Sequence, residues 1–298
     1  MVQTIQDLDN LAILLGVPKF IVTKYIFQAD SFYKVFRIRK RSGRGYRIIS
    51  APSSELKGIQ RWISVFILRK IPLPDECMGF RIKHSICDNA SPHVKKDFVL
   101  HLDIKDFFPT ITTPRVIGLF KSLGYTREVA FGLGKLTTYQ HKLPQGAPSS
   151  PSISNIICRK LDYRIKCFCD KRGWSYTRYC DDMTISGMGH MPSINIITKI
   201  IRDEGFEINQ RKTSLMRRNT CQRVTGLVVN EGVNISKHRK KIWRAIFHQA
   251  GLTPDKFYSR RAELLGYIEF LKMVCSTEDP SIATYTDIIK KLDCIKSI

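Results

Sequence analysis

Asp103 closes an apolar strand, and a carboxylate in such a place must find a partner elsewhere in the chain. The run Val99 to Ile104 carries little charge and reads as a strand, with Asp103 near its end in Leu100-His101-Leu102-Asp103-Ile104-Lys105. An unpaired buried carboxylate is costly, so a counter-charge is required. Far along the sequence, Tyr176 to Tyr179 and Met183 to Ser186 read as a tight hairpin around Cys180-Asp181-Asp182. Adjacent carboxylates repel each other. Such a pair is either a well-solvated turn, since Asp suits turns, or half of a site for hard divalent cations, which prefer oxygen ligands. Adding Asp103 favours the second reading. Three acids would then hold two metals roughly 3.5–4 Å apart, an arrangement suited to in-line phosphoryl transfer.

Charge points the same way. Lys and Arg number 49 against 26 Asp and Glu, a net charge of +23. That excess says nothing about fold but favours a polyanionic partner, nucleic acid or an acidic membrane surface. The basic residues cluster: residues 34–47 hold seven Lys or Arg and no acid, and 206–246 hold ten against two Glu. No stretch approaches the ~18–20 apolar residues that span a bilayer. The start of the chain carries Asp7 and Asp9 without a basic cluster, unlike a secretory signal. The reading is a cytoplasmic protein. Nine scattered cysteines include no Cys-x-x-Cys pair, which argues against structural zinc and for small apolar side chains, mostly buried, in a reducing compartment.

Periodicity predicts an α+β chain. Leu8, Leu11, Ala12 and Leu15 mark a helix that ends at Gly16 and Pro18. Tyr33 to Arg39 and Tyr46 to Ile49 flank Ser42-Gly43-Arg44-Gly45 as a basic hairpin, either a solvated ribbon or a phosphate-binding one. Leu56, Ile59, Ile63, Phe66 and Ile67 share a helical face. Further helices are expected at 114–136, 153–170 and 193–205, a Pro- and Ser-rich turn at 143–152, strands at 206–209 and 223–229, and a mainly helical tail over 235–298. Strands and helices alternate without a β-α-β register, which disfavours a doubly wound sheet.

Tyr179-Cys180-Asp181-Asp182 resembles the Tyr-x-Asp-Asp box of reverse transcriptases, and Asp103-Ile104-Lys105-Asp106-Phe107-Phe108-Pro109 resembles the first catalytic motif of that family. The segment Leu143 to Pro151, with Gln145 and Gly146, resembles the motif that lies against nucleotide and template; Glu204 to Thr213, with Lys212-Thr213, resembles the next. One such box is weak, but four in order are strong. Asn89-Ala90-Ser91-Pro92-His93 and Val224-Thr225-Gly226 match the Asn-Ala-x-x-His and Val-Thr-Gly signatures of bacterial retron enzymes. Cys180 departs from the Ala common at its position, and both residues are small.

The resemblance implies a right-hand polymerase fold, with fingers at 1–98, a palm at 99–230 and a helical thumb at 231–298. It implies an RNA-directed DNA polymerase that uses two Mg²⁺ held by Asp103, Asp181, Asp182 and the Ile104 carbonyl, with deoxynucleoside triphosphates as substrates. Arg47, Arg81, Gln145, Gly146 and Lys212 are its expected nucleotide contacts, and Phe108 the gate against a ribose 2′-hydroxyl. Because neighbouring strand positions face opposite ways, one of Phe107 and Phe108 is expected in the core. Asn89, His93, Val224, Thr225, Gly226, Lys237, Arg239, Lys240, Lys241 and Arg244 are expected at the RNA, Asn89 and His93 as recognition or architectural residues. Retron enzymes further imply a cognate noncoding RNA, priming from an RNA 2′-hydroxyl, multicopy single-stranded DNA, an effector protein and antiphage defence. A ribonuclease H or endonuclease domain is not expected after residue 298. The rivals are another stand-alone RNA-directed polymerase and a catalytically idle RNA-binding scaffold.

Overall fold

A four-stranded antiparallel sheet in the order β4-β5-β3-β6 lies at the centre of the computed structural model, which describes residues 5–40, 43, 45–189, 191, 193–275 and 279–294. Its strands are β3 (Phe98–Asp103), β4 (Ser175–Tyr179), β5 (Asp182–Gly187) and β6 (Ser214–Arg217); β1 (Tyr33–Arg39) and β2 (Tyr46–Pro52) form a separate antiparallel hairpin, and β7 (Arg223–Val224) and β8 (Leu227–Val228) a third small one. β3 is mostly apolar because it is flanked by β5 and β6 in the interior of the sheet: only His101 among its six residues is not buried.

Fourteen α-helices are described: α1 (Leu8–Leu15), α2 (Lys19–Phe27), α3 (Ser54–Trp62), α4 (Ile86–Ala90), α5 (Phe107–Thr110), α6 (Thr113–Ser122), α7 (Arg127–Thr137), α8 (Ser150–Ile157), α9 (Arg159–Asp170), α10 (Ile194–Asp203), α11 (Lys237–Leu252), α12 (Pro254–Phe257), α13 (Arg261–Cys275) and α14 (Pro280–Cys294). Many begin where a side chain satisfies a free N–H group. Asp7, Ser53, Thr126, Ser193 and Ser236 cap α1, α3, α7, α10 and α11, and Ser85 with Asp88 makes a reciprocal capping box on α4. α1 stops at Gly16, whose φ of 68° is the left-handed conformation that glycine adopts freely.

One apolar core runs from Ile5 to Phe206, joining α1, α2, α3 and α7 to the inner face of the sheet through Leu100, Leu102, Met183 and Ile185. A second joins Val224, Leu227 and Val229 to α11, α13 and α14, and takes Ala90 and Val99 into itself. Phe247 and Tyr285 stack there with ring centroids 3.8 Å apart.

Several expectations need correction. The strand expected at 206–209 is only a single bridge, Ile208 to Ile104, and the true edge strand is β6. The helical stretch 114–136 is two helices, broken at Gly124 with φ 93°, and 153–170 is likewise two, meeting at Cys158. Residues 223–229 supply two strands of two residues each. Phe107 and Phe108 lie on a helical turn, α5, rather than on a strand. Of the eight cysteines described, three are buried, Cys77, Cys158 and Cys169, so most are not core residues. Ser42 and Arg44 of the β1–β2 turn lie outside the described residues.

Candidate active site

Register brings the three aspartates together. Asp103 is paired with Asp182 across the β3–β5 ladder, and the N–H of Ile104 donates to the Asp181 carbonyl at 3.0 Å. One carboxylate oxygen from each of Asp103, Asp181 and Asp182 lies within 4.8 Å of the other two. Asp103 is 3% exposed, so its charge is compensated inside the protein or by a ligand.

The electrostatics are those of a site that wants cations. Burial first, then the charges of Asp181 and Asp103, push the Asp182 carboxyl up to about 7, although part of its side chain stays in contact with solvent. Burial likewise raises Asp181, with Asp103 adding to the effect and Lys212 and Arg47 opposing it. Lys212 donates to Asp103 Oδ2 at 2.6 Å; burial alone would lower the lysine, but the hydrogen bond and the charges of the three acids outweigh it and hold the ammonium above its usual value. A cluster of oxygen donors with excess negative charge fits a hard divalent cation.

Of the expected nucleotide residues, Lys212 and Arg47 reach the carboxylates. Arg47 lies on β2, within electrostatic reach of Asp181. Gln145 accepts a hydrogen bond from the Ser50 N–H at 2.8 Å through its backbone carbonyl. Gly146 has φ 128°, and a Cβ there would come within 2.9 Å of the Ser50 carbonyl oxygen; only glycine lets this loop lie against β2. Phe107 is core and Phe108 is half-buried, its ring 6.4 Å from that of Phe80. Arg81 donates to the carbonyls of Pro74 and Cys77 at 2.9 and 3.2 Å, closing the loop that carries Phe80.

The signature residues divide. Asn89, His93 and Val224 are at most 1% exposed. Packed inside, these side chains make their contacts within the protein. His93 bonds Ser186 through Nδ1 at 2.6 Å and Thr177 through Nε2 at 2.8 Å, bolting α4 and the turn after it onto β4 and β5. Burial pushes its imidazole down to about 3, so it is neutral. Thr225 donates to the Ile86 carbonyl at 3.2 Å, tying the second signature to α4, the helix that carries Asn89. Gly226 is exposed, as are Lys237, Arg239, Lys241 and Arg244 on α11, while Lys240 is paired with Asp279 at 3.1 Å.

Some site residues escaped the sequence reading. His101 Nε2 lies 3.5 Å from Asp182 Oδ1; its position two residues before Asp103 on a strand, hence on the same face, was the available signal. Gly79 is a second: a Cβ there would sit 2.5 Å from the Cys180 nitrogen, so the loop before Phe80 lies flat against the carboxylate turn. No local pattern announces that contact.

Paired carboxylates at the ends of two interior strands beside a lysine, together with a loop that presses on a basic hairpin, are the arrangement of a template-directed nucleotidyl-transfer polymerase. Residues 38–268 match the family model described as reverse transcriptase (RNA-dependent DNA polymerase). The chain is 37% identical over 274 residues to the retron Ec86 reverse transcriptase of Escherichia coli, covering 89% of this chain and 84% of that one. It is 34% identical over 291 residues to the retron Mx65 reverse transcriptase of Myxococcus xanthus (89% and 68%), and 35% identical over 257 residues to the Mx162 enzyme of the same organism (74% and 53%). The chain belongs to the retron reverse transcriptases, and its activity is RNA-directed DNA polymerisation. Among the described residues no single helix is long and apolar enough to cross a membrane.

Proposed function

We propose that this enzyme copies part of a structured noncoding RNA into multicopy single-stranded DNA, primed from an RNA 2′-hydroxyl, within an antiphage system that includes an effector protein. The observation that carries the polymerase chemistry is the convergence of Asp103, Asp181 and Asp182 beside Lys212. The three carboxylates, with the Ile104 carbonyl, would hold two Mg²⁺; bound there, the ions supply activation of a primer hydroxyl and neutralisation of a triphosphate.

This chain's own residues do the positioning. Arg47 and Arg81 offer guanidinium groups to deoxynucleoside triphosphate oxygens, a match of shape and charge. Gln145 and Gly146 form the floor beside β2. Lys212, already held at its charged value, is placed to give a proton to departing pyrophosphate. Phe108, with Phe80 beside it, excludes a 2′-hydroxyl by bulk. Thr225, Gly226 and the basic face of α11 (Lys237, Arg239, Lys240, Lys241, Arg244) lie at the RNA, where shape and phosphate contacts dominate recognition of A-form duplex. Fingers at 1–98, palm at 99–230 and thumb at 231–298 are the corresponding division, and a cytoplasmic location suits the chemistry.

Sequencing the nucleic acid that copurifies with the protein tests this reading. A covalently joined RNA–DNA species is the expected result; bulk cellular RNA alone would contradict the retron-specific part and leave only the polymerase.

A further inference from the structure

Among the described residues the largest fully buried side chain is a charged one, Arg178, the residue before the Tyr179-Cys180-Asp181-Asp182 box. Burying a guanidinium is tolerable only when its charge and its donors are all met. Here they are. Nε donates to Asp162 Oδ1 at 2.7 Å and NH2 to Asp162 Oδ2 at 2.7 Å, a bidentate pair with both partners fully buried. NH2 also donates to the Cys77 thiol at 3.3 Å, and NH1 to Asn155 Oδ1 at 3.1 Å and to the Cys180 carbonyl at 3.0 Å. A guanidinium has five N–H donors, and five acceptors stand around this one.

The last of these bonds concerns the chemistry. Cys180 begins the two-residue turn between β4 and β5 with φ 63°, a left-handed conformation that costs a non-glycine residue roughly 1–2 kcal/mol. Asp181 follows directly. The arginine that grips the Cys180 carbonyl is itself gripped by α9 through Asp162 and by α8 through Asn155. Tyr176 donates to Asp162 Oδ1 at 2.8 Å, and Asn155 Nδ2 donates to the Gly79 carbonyl at 2.8 Å, under the loop that lies on Cys180.

We propose that Arg178 is a positioning residue for polymerisation: its buried five-bond network locks the strained Cys180 turn, and so the carboxylates of Asp181 and Asp182, against α8, α9 and the Cys77–Gly79 loop. Lysine, a point charge with three donors, cannot replace it. The proposal rests on the assignment of the three aspartates as the metal-binding group, which cation dependence of the unaltered enzyme tests separately.

The experiment is R178K, assayed for RNA-templated primer extension at a temperature where circular dichroism shows it fully folded. The expected result is a kcat lowered about 10- to 100-fold, a raised Mg²⁺ midpoint, and an unchanged primer–template Kd. A purely structural residue would lower the melting temperature but leave kcat and the Mg²⁺ midpoint of the folded protein at wild-type values, and that outcome overturns the proposal. If R178K does not fold, Asn155→Ala removes one neutral acceptor of Arg178 and the donor to the Gly79 carbonyl, and leaves the Arg178–Asp162 pair whole. A lower kcat and a raised midpoint are expected again, and wild-type values for both are contrary.

Discussion

Asp103 and Asp182 are direct register partners across the β3–β5 ladder, so the strand pairing itself forces two carboxylates to face each other. A one-residue slip would send every side chain of one strand to the opposite face, and the site would vanish with it.

From that enforced repulsion follows the prediction that a divalent cation stabilises the folded chain. Adding Mg²⁺ to protein stripped with a chelator raises the melting temperature, because a ligand bound only by the folded state stabilises it, by about 2.7 kcal/mol at a hundred times its Kd. Differential scanning calorimetry reads the shift. In Asp103→Asn the gain shrinks, and an equal gain in both proteins would place the ion elsewhere.

Without metal, the same repulsion gives a pH dependence of known sign. The Asp182 carboxyl is pushed up to about 7 in the folded chain, above the ordinary value of 3.8. Between these values the folded state holds more protons than the unfolded one, so this group's contribution is complete below pH ~4 and lost as pH rises through ~7. Urea titrations at a series of pH values in chelator should therefore show Asp182→Asn gaining on the wild type from pH 5 to 7.5. A constant difference would be the contrary finding.

Sugar selection should depend on Phe108. Phe108→Ala opens the space beside Phe80 and raises ribonucleotide incorporation relative to deoxyribonucleotide, measured as a ratio of kcat/KM values. The neighbouring Phe107 is core, so Phe107→Ala should cost stability instead, about 3–5 kcal/mol. Unchanged selectivity in the first variant would remove the gate assignment.

His93 should behave as a buried bolt. His93→Ala leaves the Ser186 and Thr177 hydroxyls without their imidazole partner and opens a cavity, together about 2–4 kcal/mol of lost stability by chemical denaturation. Template preference of the folded fraction should be retained. A selective loss of cognate RNA binding at full stability would restore a recognition role.

What the sequence disclosed was the chemistry with a local signature. The apolar run ending in Asp103, the carboxylate pair in a short hairpin and the Gly146 loop each carry their constraint within a few residues. The Arg178–Asp162 pair was illegible because its partners come from four separate segments, and nothing near Arg178 distinguishes it from the many surface arginines. For His93 the motif was visible while its two roles, recognition or architecture, stayed open, because burial is a property of the packed sheet. The edge strand was misplaced because β6, Ser214 to Arg217, is largely exposed and lacks apolar alternation. The 206–209 run alternates because Phe206 packs in the core beside Phe107 and Ile208 makes a single bridge to Ile104, short of a strand.

The most direct measurement is single-turnover extension of a primer on an RNA template by Asp181→Asn, with RNA occupancy matched to the wild type. Loss of a metal-binding carboxylate should remove several kcal/mol of transition-state stabilisation, so the predicted result is a rate lower by about a thousand-fold or more with RNA affinity intact. Extension at a near-normal rate would show that these aspartates do not hold the ions.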